Sequence, residues 1–302
     1  MTAAIRFDDR VAIVTGAGGG LGRAHALELA RRGAAVVVND LGGAVDGSGG
    51  SSAAAEAVVA EIEAMGGRAI ADGASVTDDT GVARMVDAAM GAFGRIDILI
   101  ANAGILRDRS FAKMTLGDFE AVVDVHLMGA FKPIKAVWET MRGQNYGRIV
   151  VTTSSSGLYG NFGQANYGAA KLGVVGLMNT LRIEGAKHDI RVNALAPVAA
   201  TRMTEGLIPD EIMARITPET ISPGVMTLVD ADAPNGVILS AGGGVFSLAR
   251  IYETEGLALT GDELTAENVR AGWDRVEDAA GQQAYPTGAG QLQKVLRRLG
   301  EN

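Results

Sequence analysis

Residues 11–22 read VAIVTGAGGGLG, and this stretch decides the fold that we expect. Residues 10–15 suit a buried strand, and residues 21–32 have the apolar spacing of a helix. Glycines between a strand and a helix let phosphates approach the free backbone N–H groups at the helix start. The spacing Thr-Gly-x-x-x-Gly-x-Gly predicts a dinucleotide site. The contacts expected from this loop are Gly16, Gly20, Leu21 and Gly22.

Strand-like and helix-like segments continue to alternate beyond this loop. The further predicted strands lie at residues 34–39, 68–74, 96–101, 148–153, 190–195 and 236–241. Apolar runs without polar alternation, joined by helical crossovers, are typical of a parallel sheet covered on both sides. We therefore predict an α/β Rossmann fold, a doubly wound parallel sheet with helices on both faces.

Two segments do not follow this alternation. Residues 41–51 form a glycine- and serine-rich insert, for which a flexible surface loop is the favoured interpretation. The tail contains a candidate strand at 246–253 and a helix start at Thr265. We expect one domain over residues 1–302, with a C-terminal extension, residues 243–302, packed on it.

Composition excludes several classes of protein. A net charge of -8 argues against broad nucleic-acid binding. The absence of cysteine and the presence of three histidines argue against a metal site. The sequence shows no signal segment, no long apolar stretch and no C-terminal Ser-Lys-Leu. We expect a cytoplasmic protein with a small-molecule substrate and neither a membrane nor a nucleic-acid partner.

Asp40 at the end of the second predicted strand indicates which dinucleotide binds. A carboxylate there can accept the hydroxyls of the adenosine ribose and would repel a 2′-phosphate. We predict NAD as the cofactor. Arg23, beside the glycine loop, is the counter-argument, since a basic residue there can serve a 2′-phosphate.

Polar and small residues after the third and fourth predicted strands complete the expected cofactor site. Asn102, Ala103 and Gly104 follow the fourth strand at the edge where ligands bind in such sheets. Asn102 is positioned to brace two strands. Ser75 and Val76 are weaker candidates for lining the adenine.

Tyr167 and Lys171 are four residues apart, hence on one face of a helix. A nearby lysine cation and an oxidised nicotinamide would bring the phenol pKa toward the working range. Lys171 could also hold the nicotinamide ribose. Ser154, 13 residues before Tyr167, is the chosen hydrogen-bond donor to a substrate oxygen, although Ser155 and Ser156 stay open.

His126 has two interpretations. The favoured one is a satisfied core histidine on a helix packed against the sheet. The alternative is a link in a proton relay from Lys171 to solvent, through a ring nitrogen or a backbone carbonyl.

These motifs, in this order, resemble the short-chain dehydrogenase/reductase superfamily. Three further stretches narrow the resemblance to the (3R)-hydroxyacyl-CoA dehydrogenase portion of peroxisomal multifunctional enzyme type 2. They are NDLGG at 39–43, AGILRDRSF at 103–111 and YGNFGQANY at 159–167. The insert after Asp40 and the tail at 265–270 resemble it too. No hydratase or sterol-carrier portion accompanies them, so we expect a stand-alone dehydrogenase.

The resemblance implies NAD at Asp40 and the glycine loop, Tyr167 as acid–base and Lys171 beneath it. His126 stands where the superfamily usually has asparagine. The multifunctional-enzyme branch also has histidine at this place. The resemblance also implies cofactor contacts from Val198, Ala200 and Thr201, weakened because Val198 replaces a glycine. The expected substrate contacts, besides Ser154, are Tyr159, Phe162 and Gln164.

The resulting hypothesis is oxidation of a (3R)-hydroxyacyl-CoA to the 3-ketoacyl-CoA. A steroid 17β-alcohol or steroid side-chain CoA is the alternative substrate, and an NADPH-dependent acyl-carrier-protein reductase is disfavoured by Asp40. A non-catalytic dinucleotide-binding sensor is the alternative from another class. Arg107 and Arg109 are candidates for CoA phosphates, with surface solvation favoured. The resemblance implies a homodimer or homotetramer.

Overall fold

A computed structural model describes residues 4–199 and 209–300 of the chain. The chain divides into two compact units between Leu248 and Ala249. The glycine loop and the candidate catalytic residues belong to the first unit. The packing of residues 243–302 on the rest of the chain stays a prediction.

Within the described residues, eight strands form one sheet in the order β3-β2-β1-β4-β5-β6-β7-β8. They are β1 (Val11–Thr15), β2 (Ala35–Asn39), β3 (Arg68–Asp72), β4 (Ile98–Ala101), β5 (Gly147–Thr152), β6 (Ile190–Pro197), β7 (Ile238–Gly242) and β8 (Val245–Ala249). Strands β1 to β7 pair in parallel. The β8 strand follows a two-residue turn and so returns antiparallel.

Helices flank this sheet in the first unit and supply the secondary structure of the second. Those in the described residues are α1 (Gly20–Arg31), α2 (Ala53–Ala64), α3 (Asp79–Phe93), α4 (Leu116–Val123), α5 (Gly129–Gln144), α6 (Ser155–Tyr159), α7 (Ala165–Glu184), α8 (Asp210–Met213), α9 (Ser222–Val229), α10 (Ala266–Ala271), α11 (Trp273–Glu277) and α12 (Gly288–Arg298). None of these helices is long and apolar enough to cross a membrane.

The predicted doubly wound sheet is confirmed. All seven strands predicted for it are present, with ends displaced by no more than two residues. The candidate strand at 246–253 is shorter than expected, because β8 ends at Ala249. The segment before β7, expected to be one long helical stretch, contains the short helices α8 and α9 in its described part.

The sheet is held by burial of its valine-rich strands. Strands β1, β2, β4 and β5 are buried along their whole length, whereas β3, at the edge, is partly exposed. On one face, Val36 and Val38 of β2 share an apolar cluster with Leu29 of α1 and with Val58 and Ile62 of α2. Removing such side chains from water is the main stabilising contribution to the fold.

The sheet changes direction at β1, which has β2 on one side and β4 on the other. Crossovers before and after this point lie on opposite faces, so a crevice opens at the carboxyl ends of β1 and β4. Ligands bind in such a crevice in open α/β sheets. The topology therefore positions the glycine loop after β1 and Asn102 after β4 at the same place.

Asp97 ties together the amino ends of the same strands, on the opposite side of the sheet. Its fully buried carboxylate accepts hydrogen bonds from the backbone N–H of Val11, at 2.9 Å, and from the side chains of Arg10 and Arg95. Its carbonyl accepts the N–H of Arg148 at the start of β5. Through its side chain and its backbone carbonyl, Asp97 thus sets the relative height of three central strands.

We predict that Asp97→Ala lowers the free energy of unfolding by about 3 kcal/mol, because it leaves a buried N–H without an acceptor and removes a buried ionic partner. Chemical denaturation measures the loss. Asp87→Ala, at an exposed position of α3, is the control and should change stability by no more than about 0.5 kcal/mol. Equal effects of the two substitutions would contradict the role of Asp97.

Candidate active site

A cavity of about 350 Å³ lies at the carboxyl ends of the central strands. Most of the predicted cofactor and catalytic residues line it. They are Gly16, Gly20, Leu21, Asp40, Ser75, Val76, Asn102, Ala103, Gly104, His126, Tyr167 and Lys171. The glycine loop and the Tyr-Lys pair, far apart in sequence, therefore share one cavity. Among the described residues no cluster of three metal-ligating side chains occurs.

Gly16 and Gly22 of the glycine loop pack too closely against their neighbours to carry side chains. Gly16 has a φ of +64°, and a β-carbon there would lie 2.8 Å from the Cα of Ala103. A β-carbon at Gly22 would lie 2.1 Å from the carbonyl oxygen of Gly16. Gly22 is not part of the cavity wall. The sequence predicts that Gly22 contacts the cofactor, whereas in the structure Gly22 supports the loop from inside α1.

Asn102 braces β1 against β4, as predicted. Its side-chain amide donates to the carbonyls of Thr15, at 3.1 Å, and Gly16, at 3.2 Å. The Thr15 hydroxyl accepts the backbone N–H groups of Asn102 and Ala103. Backbone groups that have left the strand ladder are thereby paired, which fixes the loop at the switch point.

Asp40 holds the two segments on either side of it. One carboxylate oxygen accepts the N–H of Gly18 at 2.7 Å, and the other accepts the N–H of Gly42 at 2.6 Å. A carboxylate offers about four acceptor positions, so ribose hydroxyls can still be accommodated. Arg23, the counter-argument for a 2′-phosphate, is paired with Glu61 of α2.

Ser75 and Val76 lie in the cavity wall after β3. Val76 is buried, and the Ser75 hydroxyl lies 2.9 Å from that of Thr77. Asn39 holds this turn in place by donating to Asp72 at 2.6 Å and to the carbonyl of Ala74 at 2.9 Å. The turn is thus a preformed wall at the adenosine end of the predicted cofactor site.

Tyr167 lies on the first turns of α7, with Ser154 beside it. Burial raises the pKa of the Tyr167 phenol, while its hydrogen bond with Ser154 acts to lower it. Ser154 is also the residue that caps α6, since its Oγ accepts the N–H of Ser156 at 3.1 Å. Ser154 therefore both caps α6 and contacts the phenol of Tyr167.

Lys171 is almost completely buried one turn further along α7. Its Nζ donates to the carbonyl of Thr152 at 2.6 Å and lies 5.6 Å from the centroid of the Tyr167 ring. Burial lowers the pKa of Lys171 to about 7. The expected lowering of the Tyr167 pKa depends on the ammonium form of Lys171 and on an oxidised nicotinamide, so it stays a prediction. Burial disfavours that ammonium form.

His126 lies in a π-helical turn, Asp124–Met128, between α4 and α5. Its Nε2 is 2.7 Å from the carbonyl oxygen of Ile105 and 3.1 Å from the Ile105 nitrogen, so the tautomer decides which bond forms. Its ring packs edge-on against Tyr167, with centroids 4.9 Å apart. A β-carbon on Gly104 would lie 2.3 Å from His126 Cε1. The ring thus fits against a bare backbone.

The chemistry available to His126 is limited by its burial. Burial and the charge of Lys171 lower the pKa of the imidazole well below its ordinary value, so the ring is neutral. Nδ1 is buried and has no hydrogen-bond partner among the described residues. The histidine is therefore only half satisfied. A relay that places a full positive charge on this ring is disfavoured, while the neutral ring and its backbone carbonyl remain available.

The predicted substrate contacts lie outside the cavity wall. Tyr159 and Phe162 are 74% and 89% exposed, and Gln164 donates to Asp108 at 2.7 Å. The backbone N–H of Val198 donates to Ala241, and its side chain is 47% exposed. Ala200 and Thr201 lie outside the described residues. Substrate and cofactor roles for these residues stay predictions.

The glycine loop, Asn102, Tyr167 and Lys171 line one cavity, and Ser154 lies beside Tyr167. Residues 10–212 match the family model described as short chain dehydrogenase. The chain belongs to the short-chain dehydrogenase family.

Individual relatives extend this family assignment over almost the whole chain. A putative short-chain type dehydrogenase/reductase of Mycobacterium tuberculosis is 50% identical over 274 residues, covering 90% of this chain and 96% of that protein. Peroxisomal multifunctional enzyme type 2 of Mus musculus is 46% identical over 305 residues, covering 99% of this chain and 41% of that protein.

A solved structure shows the same likeness. The full-length peroxisomal multifunctional enzyme type 2 of Drosophila melanogaster matches with a TM-score of 0.81 at 38% identity, over 98% of this chain and 51% of that chain. The chain thus spans 41% and 51% of the lengths of these two multifunctional relatives. The resemblance stated from the sequence is confirmed.

Two features of this short-chain dehydrogenase site were missed from the sequence. The insert, residues 41–51, lines the cavity through Leu41, Gly43, Ala44, Val45 and Gly47, so it is more than a surface loop. The composition of the insert does not predict this contact, because the contact depends on the loop after β4.

Asn166 is the second missed feature. It is fully buried and accepts the N–H of Tyr167 at 2.8 Å while donating to the carbonyls of Arg107 and Asp118. It ties the start of α7 to the segment after β4. Its place directly before Tyr167 was a usable signal, since a short polar side chain there can pair with backbone at a helix start.

We predict a stability signature for buried Lys171. Unfolded lysine keeps its proton to about pH 10, while the folded amine loses it near pH 7, so the stability of the wild type rises with pH between these values. Lys171→Met removes this dependence. The free energy of unfolding of the variant, relative to that of the wild type, should be higher at pH 7 than at pH 10. The difference should be about 1.4 kcal/mol for each unit by which burial displaces the pKa of Lys171, and denaturant unfolding curves at the two pH values measure it. A pH-independent offset would contradict this assignment.

Proposed function

We propose that the protein oxidises a (3R)-hydroxyacyl-CoA to the 3-ketoacyl-CoA with NAD. The observation that carries the proposal is one continuous cavity with Asp40 in one part of its wall and Tyr167 and Lys171 in another. A carboxylate selects the cofactor, and a phenol beside a buried amine supplies acid–base chemistry. The presence of Ser154, Tyr167 and Lys171 together argues against a non-catalytic sensor.

The residues present fit a dinucleotide. The glycine loop meets the start of α1, where N–H groups and the helix dipole favour a pyrophosphate. Asp40 would accept the adenosine ribose hydroxyls and repel a 2′-phosphate. The pairing of Arg23 with Glu61 supports NAD over NADP, because that guanidinium already has a carboxylate partner.

The residues around Tyr167 divide the acid–base work. Bound NAD would supply the hydride acceptor. Ser154 donates a hydrogen bond to the substrate oxygen, and Tyr167 takes the hydroxyl proton. Burial favours the neutral phenol of Tyr167 and the neutral amine of Lys171. Formation of a phenolate therefore requires Lys171 in its protonated form, because the positive charge stabilises the anion. His126, packed against the phenol, fixes its ring and excludes water from that side.

Support for the acyl-CoA substrate comes from the sequence resemblance and from relatives named peroxisomal multifunctional enzyme type 2. The exposed aromatic rings of Tyr159 and Phe162 would contact an apolar chain. A steroid alcohol would use the same Tyr167 chemistry, so substrate assays decide between them. A cytoplasmic location and a homodimer or homotetramer are further parts of this proposal.

The proposal predicts stereoselective turnover. Initial NADH formation from NAD should be seen with (3R)- but not (3S)-hydroxyacyl-CoA. Tyr167→Phe should lower kcat by about 10²- to 10⁴-fold, because it removes the proton acceptor. Tyr252→Phe, in the second unit, is the control and should keep wild-type kcat.

Turnover of a 17β-hydroxysteroid alone, at matched concentration, would retain the mechanism and replace the substrate. NADH binding without turnover of any alcohol would instead favour the sensor.

The proposal also predicts a cofactor preference set by Asp40. The wild type should have a higher kcat/KM with NAD than with NADP. Asp40→Asn should reduce the ratio of the two values by about tenfold, because the charge that repels a 2′-phosphate is lost. Asp87→Asn should leave the ratio unchanged. A wild type that prefers NADP would show that Asp40 does not select the cofactor.

A further inference from the structure

The insert, residues 41–51 and hereafter the cap, has a defined internal fold. Its neck is closed by the Ser51 N–H donating to the Leu41 carbonyl at 2.7 Å. A β-carbon at Gly42, whose φ is +72°, would lie 1.9 Å from the Ser51 carbonyl oxygen. Inside the loop, the Ala44 N–H donates to the Ser48 carbonyl at 2.8 Å. These features describe a compact Ω-loop, a type of loop that is frequently functional.

The cap is anchored across the cavity by residues 105–107, hereafter the strap. The Leu106 N–H donates to the Val45 carbonyl at 2.9 Å, and Arg107 Nε donates to the Asp46 carbonyl at 3.0 Å. A β-carbon on Gly47 would lie 3.2 Å from the Ile105 side chain, so the backbone of the cap packs directly on that side chain.

The strap also contacts the catalytic end of the site. Ile105 is the residue bonded by His126, and the Arg107 carbonyl accepts from Asn166, which in turn accepts the Tyr167 N–H. Asp40 holds the beginning of the cap through Gly42. The cap is therefore attached both at the adenosine side of the cavity and, through the strap, to the segment that supports the chemistry.

We propose that the cap retains the dinucleotide, and that its contacts with the strap set how fast the reduced cofactor leaves. The inference rests on the proposed function, since it requires that the cavity bind a nicotinamide dinucleotide. Five cap residues line the same cavity as Asp40 and the glycine loop. Release of a ligand enclosed in this way requires the cap–strap contacts to break, and such steps often limit turnover.

Two glycines of the cap provide a matched test. Gly47 and Gly49 have φ values of +87° and +76°, so alanine is strained at both. A β-carbon at Gly47 meets Ile105, whereas one at Gly49 has no atom within 4 Å. The pair therefore separates contact with the strap from backbone strain.

Arg107→Met supplies a second variant, which removes the side-chain bond to the Asp46 carbonyl. Lys113→Met is its control, because Lys113 is exposed and its loss changes the charge equally. If Gly47→Ala fails to fold, the comparison of Arg107→Met with Lys113→Met still tests the inference. Thermal unfolding without ligand shows whether the members of each pair are equally stable.

The measurement is the release of NADH, followed by its fluorescence in a stopped-flow instrument while excess ADP-ribose blocks rebinding. Gly47→Ala should release NADH about fivefold faster than Gly49→Ala, because its added methyl group crowds Ile105 and pushes the cap away from the strap. Arg107→Met should release NADH about fivefold faster than Lys113→Met, as expected for one lost hydrogen bond. Equal rates within the pairs would overturn the inference while leaving the proposed function standing. A wild type that binds no NADH would overturn the proposed function, and the inference with it.

Discussion

The link between Asn102 and the end of β1 is the interaction on which the site depends. Beyond Thr15 the chain leaves the sheet, and its carbonyls no longer have a strand partner. Asn102 supplies donors to two of them, while the Thr15 hydroxyl accepts two N–H groups in return. Unpaired backbone groups at this buried point would be costly. The loop that meets a cofactor is thus fixed by the same bonds that join the two strands at their carboxyl ends.

Much of the fold could be predicted from the sequence because its central strands are apolar along their length. Apolar runs such as Val11–Thr15 and Ala35–Asn39 are buried on both faces, so their hydrophobic pattern alone locates them. The glycine loop and the four-residue spacing of Tyr167 and Lys171 are local features. The place where each strand ends then brings these features together, because parallel strands share one carboxyl edge.

Other parts of the site depend on contacts that no local pattern contains. The cap looked like a surface loop because glycine and serine dominate it, yet its backbone bonds to a segment some sixty residues later. The capping role of Ser154 could not be predicted, because only the backbone geometry shows that Ser154 precedes α6 while Ser155 and Ser156 begin it. The burial that raises the pKa of Tyr167 and lowers that of Lys171 becomes visible only in three dimensions.

The contact between His126 and Gly104 has a consequence for how this site can change during evolution. The imidazole occupies the space that any side chain at 104 would need, since a β-carbon there would meet its Cε1. A lineage that acquires alanine at 104 must therefore also acquire a shorter side chain at 126. The two positions should covary among homologues, and histidine should appear only in the company of glycine.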